Sequence, residues 1–129
     1  MGFWQNLFGG GGSKGGLRKV DWLAVEGKVR AIDAMAASRD QATMKQLIIQ
    51  ADVLVDSILK EGSVRGATMG ERLKTLRPKM DNMAYKHLWQ AHIKRNELVH
   101  DHGAFVADWE RDQFWRYFKE GISALRGLR

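Results

Sequence analysis

The chain has 129 residues, of which 44% are hydrophobic, so it is long enough for one domain with an apolar core. Its 21 lysines and arginines against 15 acidic residues give a net charge of +6, which favours nucleic acid or an anionic membrane surface as partner. Because cysteine is absent, disulfides, thiolate metal sites and cysteine nucleophiles are excluded. The sequence has neither an apolar run of roughly 18 residues nor a secretory signal, so we expect a cytoplasmic protein.

Residues 1–16 are predicted to form a tail, and residues 17–129 a helical domain. Six glycines between positions 9 and 16 make a flexible linker. The residues ahead of this linker that would share one face of a short helix are Phe3, Trp4, Leu7 and Phe8. So short a helix is unstable alone in water, so these side chains need an apolar surface. Three surfaces fit this requirement: a membrane interface that residues 1–8 contact peripherally, a groove on a partner protein, or the chain's own domain.

Apolar residues recur at helical spacing from residue 17 onward, and no segment alternates over the length of a strand. A first long helix is predicted to begin near Asp21. A second runs from a cap at Asp40 to Gly62, where glycine ends it. The sequence Thr68-Met69-Gly70-Glu71 has the pattern of a capping box and predicts a short helix over residues 69–77.

The second half of the chain predicts two more long helices. Pro78 suits the first turn of a third long helix that reaches about residue 102, where Gly103 ends it. A fourth helix is predicted over residues 106–126. Four long helices with short loops predict an all-α fold, an antiparallel four-helix bundle with a short extra helix between the second and third long helices.

The third long helix carries two apolar stripes and one face, including Lys94, that is predicted to be solvated. One apolar stripe suits the core of the bundle. The second stripe consists of Tyr85, Trp89 and Ile93, and it leads to Asn96 and His100. The helix either contacts two neighbours within one chain or presents this second stripe as a homodimer interface. We predict the dimer interface.

Three side chains suited to phosphodiester chemistry lie near the end of the third long helix: Arg95, Asn96 and His100. A guanidinium binds phosphate, an imidazole transfers protons near neutral pH, and an amide orients either of them. On an unbroken helix Arg95 and His100 point about 140° apart. Arg95 falls within the core stripe, so it must form a salt bridge, to Asp52 or Asp56, or reach a wet cleft beside a histidine of its own or a second chain.

The segment Ile93-Lys94-Arg95-Asn96-Glu97-Leu98-Val99-His100 resembles the signature of the HEPN superfamily, an arginine followed by a polar residue, three further residues and a histidine. The resemblance extends as a helical pattern over most of residues 20–126. It implies a small helical domain that acts as a metal-independent endoribonuclease, with sites that meet across a dimer. By resemblance, Arg95 binds the scissile phosphate, Asn96 supports positioning, and His100 does the acid–base work.

A composite site at a two-fold axis would explain how one imidazole per chain suffices. Cleavage of RNA by its 2′-hydroxyl needs a proton acceptor and a proton donor, and two copies of His100 can share these roles. We therefore predict an endoribonuclease of toxin or defence type that needs no metal or cofactor, with an antitoxin or other protein as a further partner. The alternative is a non-catalytic helical interaction module that residues 1–8 recruit to a membrane or partner.

Residues 65–79 contain one acidic side chain, Glu71, and five basic ones, which are Arg65, Arg72, Lys74, Arg77 and Lys79. The cluster is predicted to hold an RNA backbone through phosphate contacts without sequence preference. The alternative is the solvated face of a short helix. His87 and His92 are interpreted as ordinary surface or half-buried residues, and no metal site is predicted.

Overall fold

A computed structural model describes residues 16–128, and within them the fold is all-helical, without a strand. The five α-helices are α1 (Trp22–Ala34), α2 (Gln41–Glu61), α3 (Met69–Leu76), α4 (Asn82–His100) and α5 (Asp108–Gly127). Two short 3-10 turns, Gly16–Lys19 and Met35–Ala37, flank α1. The predicted all-α class is confirmed, and so is the short helix between the second and third long helices. None of the helices in residues 16–128 has both the length and the apolar character needed to cross a membrane.

Side-chain caps fix where the first three helices begin, as the sequence predicts. Asp21 accepts a hydrogen bond from the Ala24 amide at 3.1 Å, and Asp40 accepts one from the Thr43 amide at 2.9 Å. Thr68 caps α3 by accepting from the Glu71 amide at 3.2 Å. These caps involve residues three apart in the chain, so they form from local sequence alone.

The predicted start of α4 is wrong, and the helix ends about two residues before the predicted end. The helix begins at Asn82 because Asp81, and not Pro78, provides the cap, accepting from the Ala84 amide at 2.9 Å. It ends at His100 because Asp101 turns to an extended backbone and accepts from the Gly103 amide at 2.9 Å. His100 is therefore the last residue of the helix.

The core lies between α2 and its three long neighbours. The α2 helix packs against α1, α4 and α5, while α4 packs along α5 and α3 covers α2 and α4. Leu88 of α4 and Phe118 of α5 are fully buried. A Cβ atom at Gly121 would lie 2.9 Å from both methyl groups of Leu88, so glycine leaves Leu88 its space between α4 and α5.

Lys94 was predicted to face solvent, but it is only 7% exposed. Its Nζ donates to the carbonyl oxygen of Phe105 at 3.0 Å and lies 3.4 Å from Oε2 of Glu110. The turn between α4 and α5 folds over this side chain, which periodicity within α4 alone does not reveal. Lys94 thus fixes the turn that follows His100.

Asp40 makes the stability of the protein sensitive to acid. Hydrogen bonds from the Ser38 hydroxyl and the Thr43 amide lower the pKa of this carboxyl from 3.8 to about 2. The stabilisation is therefore present above pH 3.8 and is lost as the pH falls toward 2. Because asparagine also caps helices, we expect the free energy of unfolding of Asp40→Asn to fall less steeply over this interval. Urea unfolding at a series of pH values measures this free energy. Parallel plots of the free energy against pH for the wild type and the variant would contradict the prediction.

Candidate functional site

An open groove of about 680 Å³ lies where α2, α3 and α4 meet. Its walls are the middle of α2, the start of α3 and the second half of α4. The α4 side chains that line it are Trp89, His92, Ile93, Arg95 and Asn96. Two of the three predicted motif residues therefore share one groove, and His100 does not line it.

Arg95 is anchored at the back of this groove by a buried carboxylate. Asp52 of α2 is 1% exposed, and its Oδ2 lies 3.2 Å from Nε of Arg95. That Nε is buried and makes no hydrogen bond, so the contact is an ion pair. The Arg95 side chain as a whole is 29% exposed, so it reaches the groove while it pairs with Asp52. Of the two predicted salt-bridge partners of Arg95, Asp52 is therefore the one that the structure shows. Asp56 pairs instead with Arg72 at 2.8 Å.

Asp52, His92, Asn96 and Arg95 form a closed network, named here the anchor network. Nδ1 of His92 lies 3.0 and 3.2 Å from the two Asp52 oxygens, and its Nε2 lies 3.5 Å from Nδ2 of Asn96. Nη1 of Arg95 donates to Oδ1 of Asn96 at 2.9 Å. Every member contacts two others, so the direction of the Arg95 guanidinium depends on the other three residues.

The electrostatics of the anchor network are set by burial. Desolvation raises the pKa of Asp52 above 3.8, and the hydrogen bond from His92 and the positive charge of Arg95 oppose that rise. A buried carboxylate without such partners would cost several kcal/mol. A titratable group shifted by burial and specific partners beside a cleft is typical of functional sites.

His100 is exposed at the end of α4, and its side chain has no hydrogen bond, ion pair or ring contact with any residue between 16 and 128. His92, Asn96 and His100 follow one another at steps of four, so they lie along one side of the helix. The helical rise places His92 and His100 about 12 Å apart along the axis. Within one chain, Arg95 and Asn96 line the groove, whereas His100 lies outside it at the end of the helix.

The apolar stripe predicted as a dimer interface is partly used within the chain. Tyr85 is only 8% exposed, and its ring stacks on Trp89 with the centroids 6.3 Å apart. Trp89 is half-buried, and Gly70 of α3 approaches it so closely that a Cβ there would lie 3.1 Å from the indole. Ile93 is 53% exposed. Tyr85 has little surface left for a partner, so Ile93 carries most of the predicted interface.

The structure separates Arg72 from the other four predicted RNA-binding cations. Arg72 is 13% exposed and is held by Asp56, so it is not available to a phosphate. Arg65, Lys74 and Arg77 are exposed, and Lys79 is half-buried. Two of the exposed cations lie over aromatic rings: Lys74 is 5.9 Å from the Trp89 ring and Arg77 is 5.6 Å from the Tyr85 ring.

His92 is the site residue that the sequence interpretation missed. It was read as an ordinary surface or half-buried histidine, but it is 8% exposed and bonded to Asp52. One signal was present in the sequence, since Asp52 sits between Ala51 and Leu54 in the apolar stripe of its helix. A carboxylate at such a position requires a partner from the facing helix.

The predicted peptide residues Phe3, Trp4, Leu7 and Phe8 lie outside the described residues. Among residues 16–128, no three histidine, aspartate or glutamate side chains are grouped closely enough to hold a metal ion.

Comparison of the chain with protein-family models, curated proteins and solved structures gives no match. What the protein does must therefore be inferred from its own residues and their geometry.

Proposed function

We propose that this protein is a metal-independent endoribonuclease of HEPN type that acts as a homodimer. Its helices would form an antiparallel four-helix bundle with α3 as the extra helix. The observation that carries the proposal is that Arg95 and Asn96 are bonded to each other in the wall of an open groove. The helix that holds both ends at the exposed imidazole of His100.

The chemistry proposed is cleavage of RNA by its own 2′-hydroxyl. The bond from O2′ to phosphorus forms and the bond from phosphorus to O5′ breaks, which leaves a 2′,3′-cyclic phosphate and a 5′-hydroxyl. One His100 takes the proton from O2′, and a second His100 gives a proton to O5′. Arg95 stabilises the charge on the phosphate, and Asn96 orients the guanidinium.

A second copy of the chain is needed because Arg95 and His100 are directed apart within one chain. A two-fold arrangement with the His100 ends of the two α4 helices at the axis would bring both imidazoles to one shared site, next to the Arg95 side chains. The exposed cations Arg65, Lys74 and Arg77 would add phosphate contacts along the RNA backbone. Such contacts carry no sequence preference.

The direct test is incubation of the purified full-length protein with mixed RNA, with and without a chelator such as EDTA. We expect cleavage in both conditions and products that end in a 2′,3′-cyclic phosphate. Cleavage that stops when EDTA is added would contradict a metal-independent mechanism. Intact RNA in both conditions would contradict endoribonuclease activity altogether.

The proposed dimer predicts a specific effect of Ile93→Glu. Ile93 is 53% exposed and lines the groove, so a charge there should disrupt association without opening the core. An anchor at the centre of an interface contributes about 2 kcal/mol or more. Light scattering at micromolar concentration should show a wild-type dimer and a monomeric variant. Met83→Glu is the matched control, because Met83 lies on the same helix and is 56% exposed. A monomeric wild type would rule out the composite site.

A further inference from the structure

We propose that Asp52 and His92 are positioning residues of the RNA-cleaving site, and that they direct Arg95 and Asn96 to the scissile phosphate only while His92 is neutral. This inference rests on the proposed function, because it assigns two further residues to the same site. Neither residue belongs to the sequence motif, and neither is expected to touch the reacting atoms. Both would act through Arg95.

The hydrogen bonds of the anchor network admit one consistent assignment of donors and acceptors. An ionised Asp52 only accepts, so Nδ1 of His92 carries the proton and Nε2 of the neutral ring accepts. Asn96 then donates its Nδ2 to that Nε2, at 3.5 Å. This leaves the Asn96 oxygen for Nη1 of Arg95, at 2.9 Å.

Protonation of His92 breaks this assignment. Its Nε2 becomes a donor, which then opposes the Nδ2 donor of Asn96. The amide must rotate to present its oxygen to His92, and it then presents a donor to the guanidinium of Arg95. Arg95 loses the hydrogen bond that fixes its direction in the groove. A second proton on His92 therefore releases Arg95 while the rest of the fold stays in place.

The surroundings of His92 support a role in the groove. Around it, the charged groups that line the groove are Asp52, Asp56 and Lys60 from α2 and Arg95 from α4. The α3 side chains that line it are uncharged. Asp56 is neutralised by Arg72 at 2.8 Å and by Lys60 at 3.4 Å. Asp52 is thus the carboxylate left to bind both His92 and Arg95.

The first experiment measures kcat/KM for RNA cleavage between about pH 5 and 8, the range in which histidines titrate. Glutamine at position 92 can donate to Asp52 and accept from Asn96 but cannot take a second proton. Toward acid, we expect the wild type to lose about ten- to a hundredfold more of its kcat/KM than His92→Gln, the effect of one charged hydrogen bond. Parallel profiles would overturn the requirement for a neutral His92.

His87→Gln is the matched control for this experiment. His87 lies on the same helix and its Nδ1 is also bonded to a carboxylate, Glu120, at 2.8 Å, but it does not line the groove. We expect its acid profile to match that of the wild type. If His87→Gln flattens the profile as much as His92→Gln does, the effect is not specific to the groove and the proposal is wrong.

The second experiment needs no catalysis, because it measures binding of an RNA whose 2′-hydroxyls are replaced by fluorine and which cannot be cleaved. His92→Leu removes both hydrogen bonds of the imidazole. We expect it to weaken binding about tenfold, and to have no further effect in an Arg95→Ala background. Equal effects of His92→Leu in both backgrounds would show that His92 does not act through Arg95. Circular dichroism confirms that each variant is folded.

The two experiments separate failure of this proposal from failure of the proposed function. If the wild type leaves ordinary RNA intact but the binding effects depend on Arg95, catalysis is wrong and positioning stands. If the wild type cleaves RNA while the binding effects are additive, positioning is wrong and the enzyme assignment stands. Intact RNA together with additive effects contradicts both.

Discussion

The substitution His100→Ala is expected to reduce the rate of RNA cleavage by about 100- to 10,000-fold while the protein stays folded. His100 is exposed at the last position of α4, and its side chain bonds to no other residue between 16 and 128. Its removal leaves no buried group without a partner, so the thermal unfolding midpoint should stay close to that of the wild type. Single-turnover cleavage assays at saturating enzyme would measure the loss in the chemical step.

His102→Ala provides the matched control for this loss. His102 is exposed in the turn two residues beyond the helix, and it too makes no bond within the described chain. We expect its cleavage rate to remain close to the wild-type rate. A folded His100→Ala protein that cleaves normally would remove His100 from the mechanism. Equal losses in both variants would indicate that any imidazole near the turn contributes, and that His100 has no specific role in proton transfer.

The sequence predicts the helices well wherever a boundary depends on residues close in the chain. Asp40 and Thr68 cap helices through amides three residues ahead, and Gly62 ends α2 as expected. The predicted start of α4 at Pro78 is wrong because the cap is Asp81, which follows the turn after α3. The pattern around Pro78 does not show where that turn ends.

The site was only partly predictable because its contacts link distant parts of the chain. The motif pointed to Arg95 and Asn96, and the position of Arg95 in the core stripe of its helix called for an acidic partner. The place of His92 in the site depends on its hydrogen bond to Asp52. Asp52 lies forty residues earlier in the chain and contacts His92 only when α2 and α4 pack together. In the sequence, Arg72 is one of a group of basic residues. In the fold it is paired with the carboxylate of Asp56 in the preceding helix.

A second arginine, Arg111, should matter for the stability of the fold. Arg111 of α5 is fully buried and donates to the carbonyl oxygens of Ala36 at 3.0 Å and Ser38 at 3.2 Å. It also donates from Nη2 to Asp112 at 2.9 Å. Arg111→Met would leave two backbone carbonyls between α1 and α2 without their donors. We expect the free energy of unfolding to fall by about 3 kcal/mol or more.

Arg39→Met is the matched control, because Arg39 pairs with the same Asp112 oxygen at 3.0 Å but has a side chain that is 47% exposed. Exposed ion pairs contribute at most about 1 kcal/mol, so this variant should unfold near the wild-type urea concentration. Similar losses of unfolding free energy in the two variants would mean that Arg111 stabilises the fold through Asp112 and not through the buried carbonyls. The activity of Arg111→Met should follow its folded fraction, whereas Arg95→Met should lose cleavage while most of its molecules are folded. That contrast separates the arginine that holds α5 to the rest of the fold from the arginine that faces the groove.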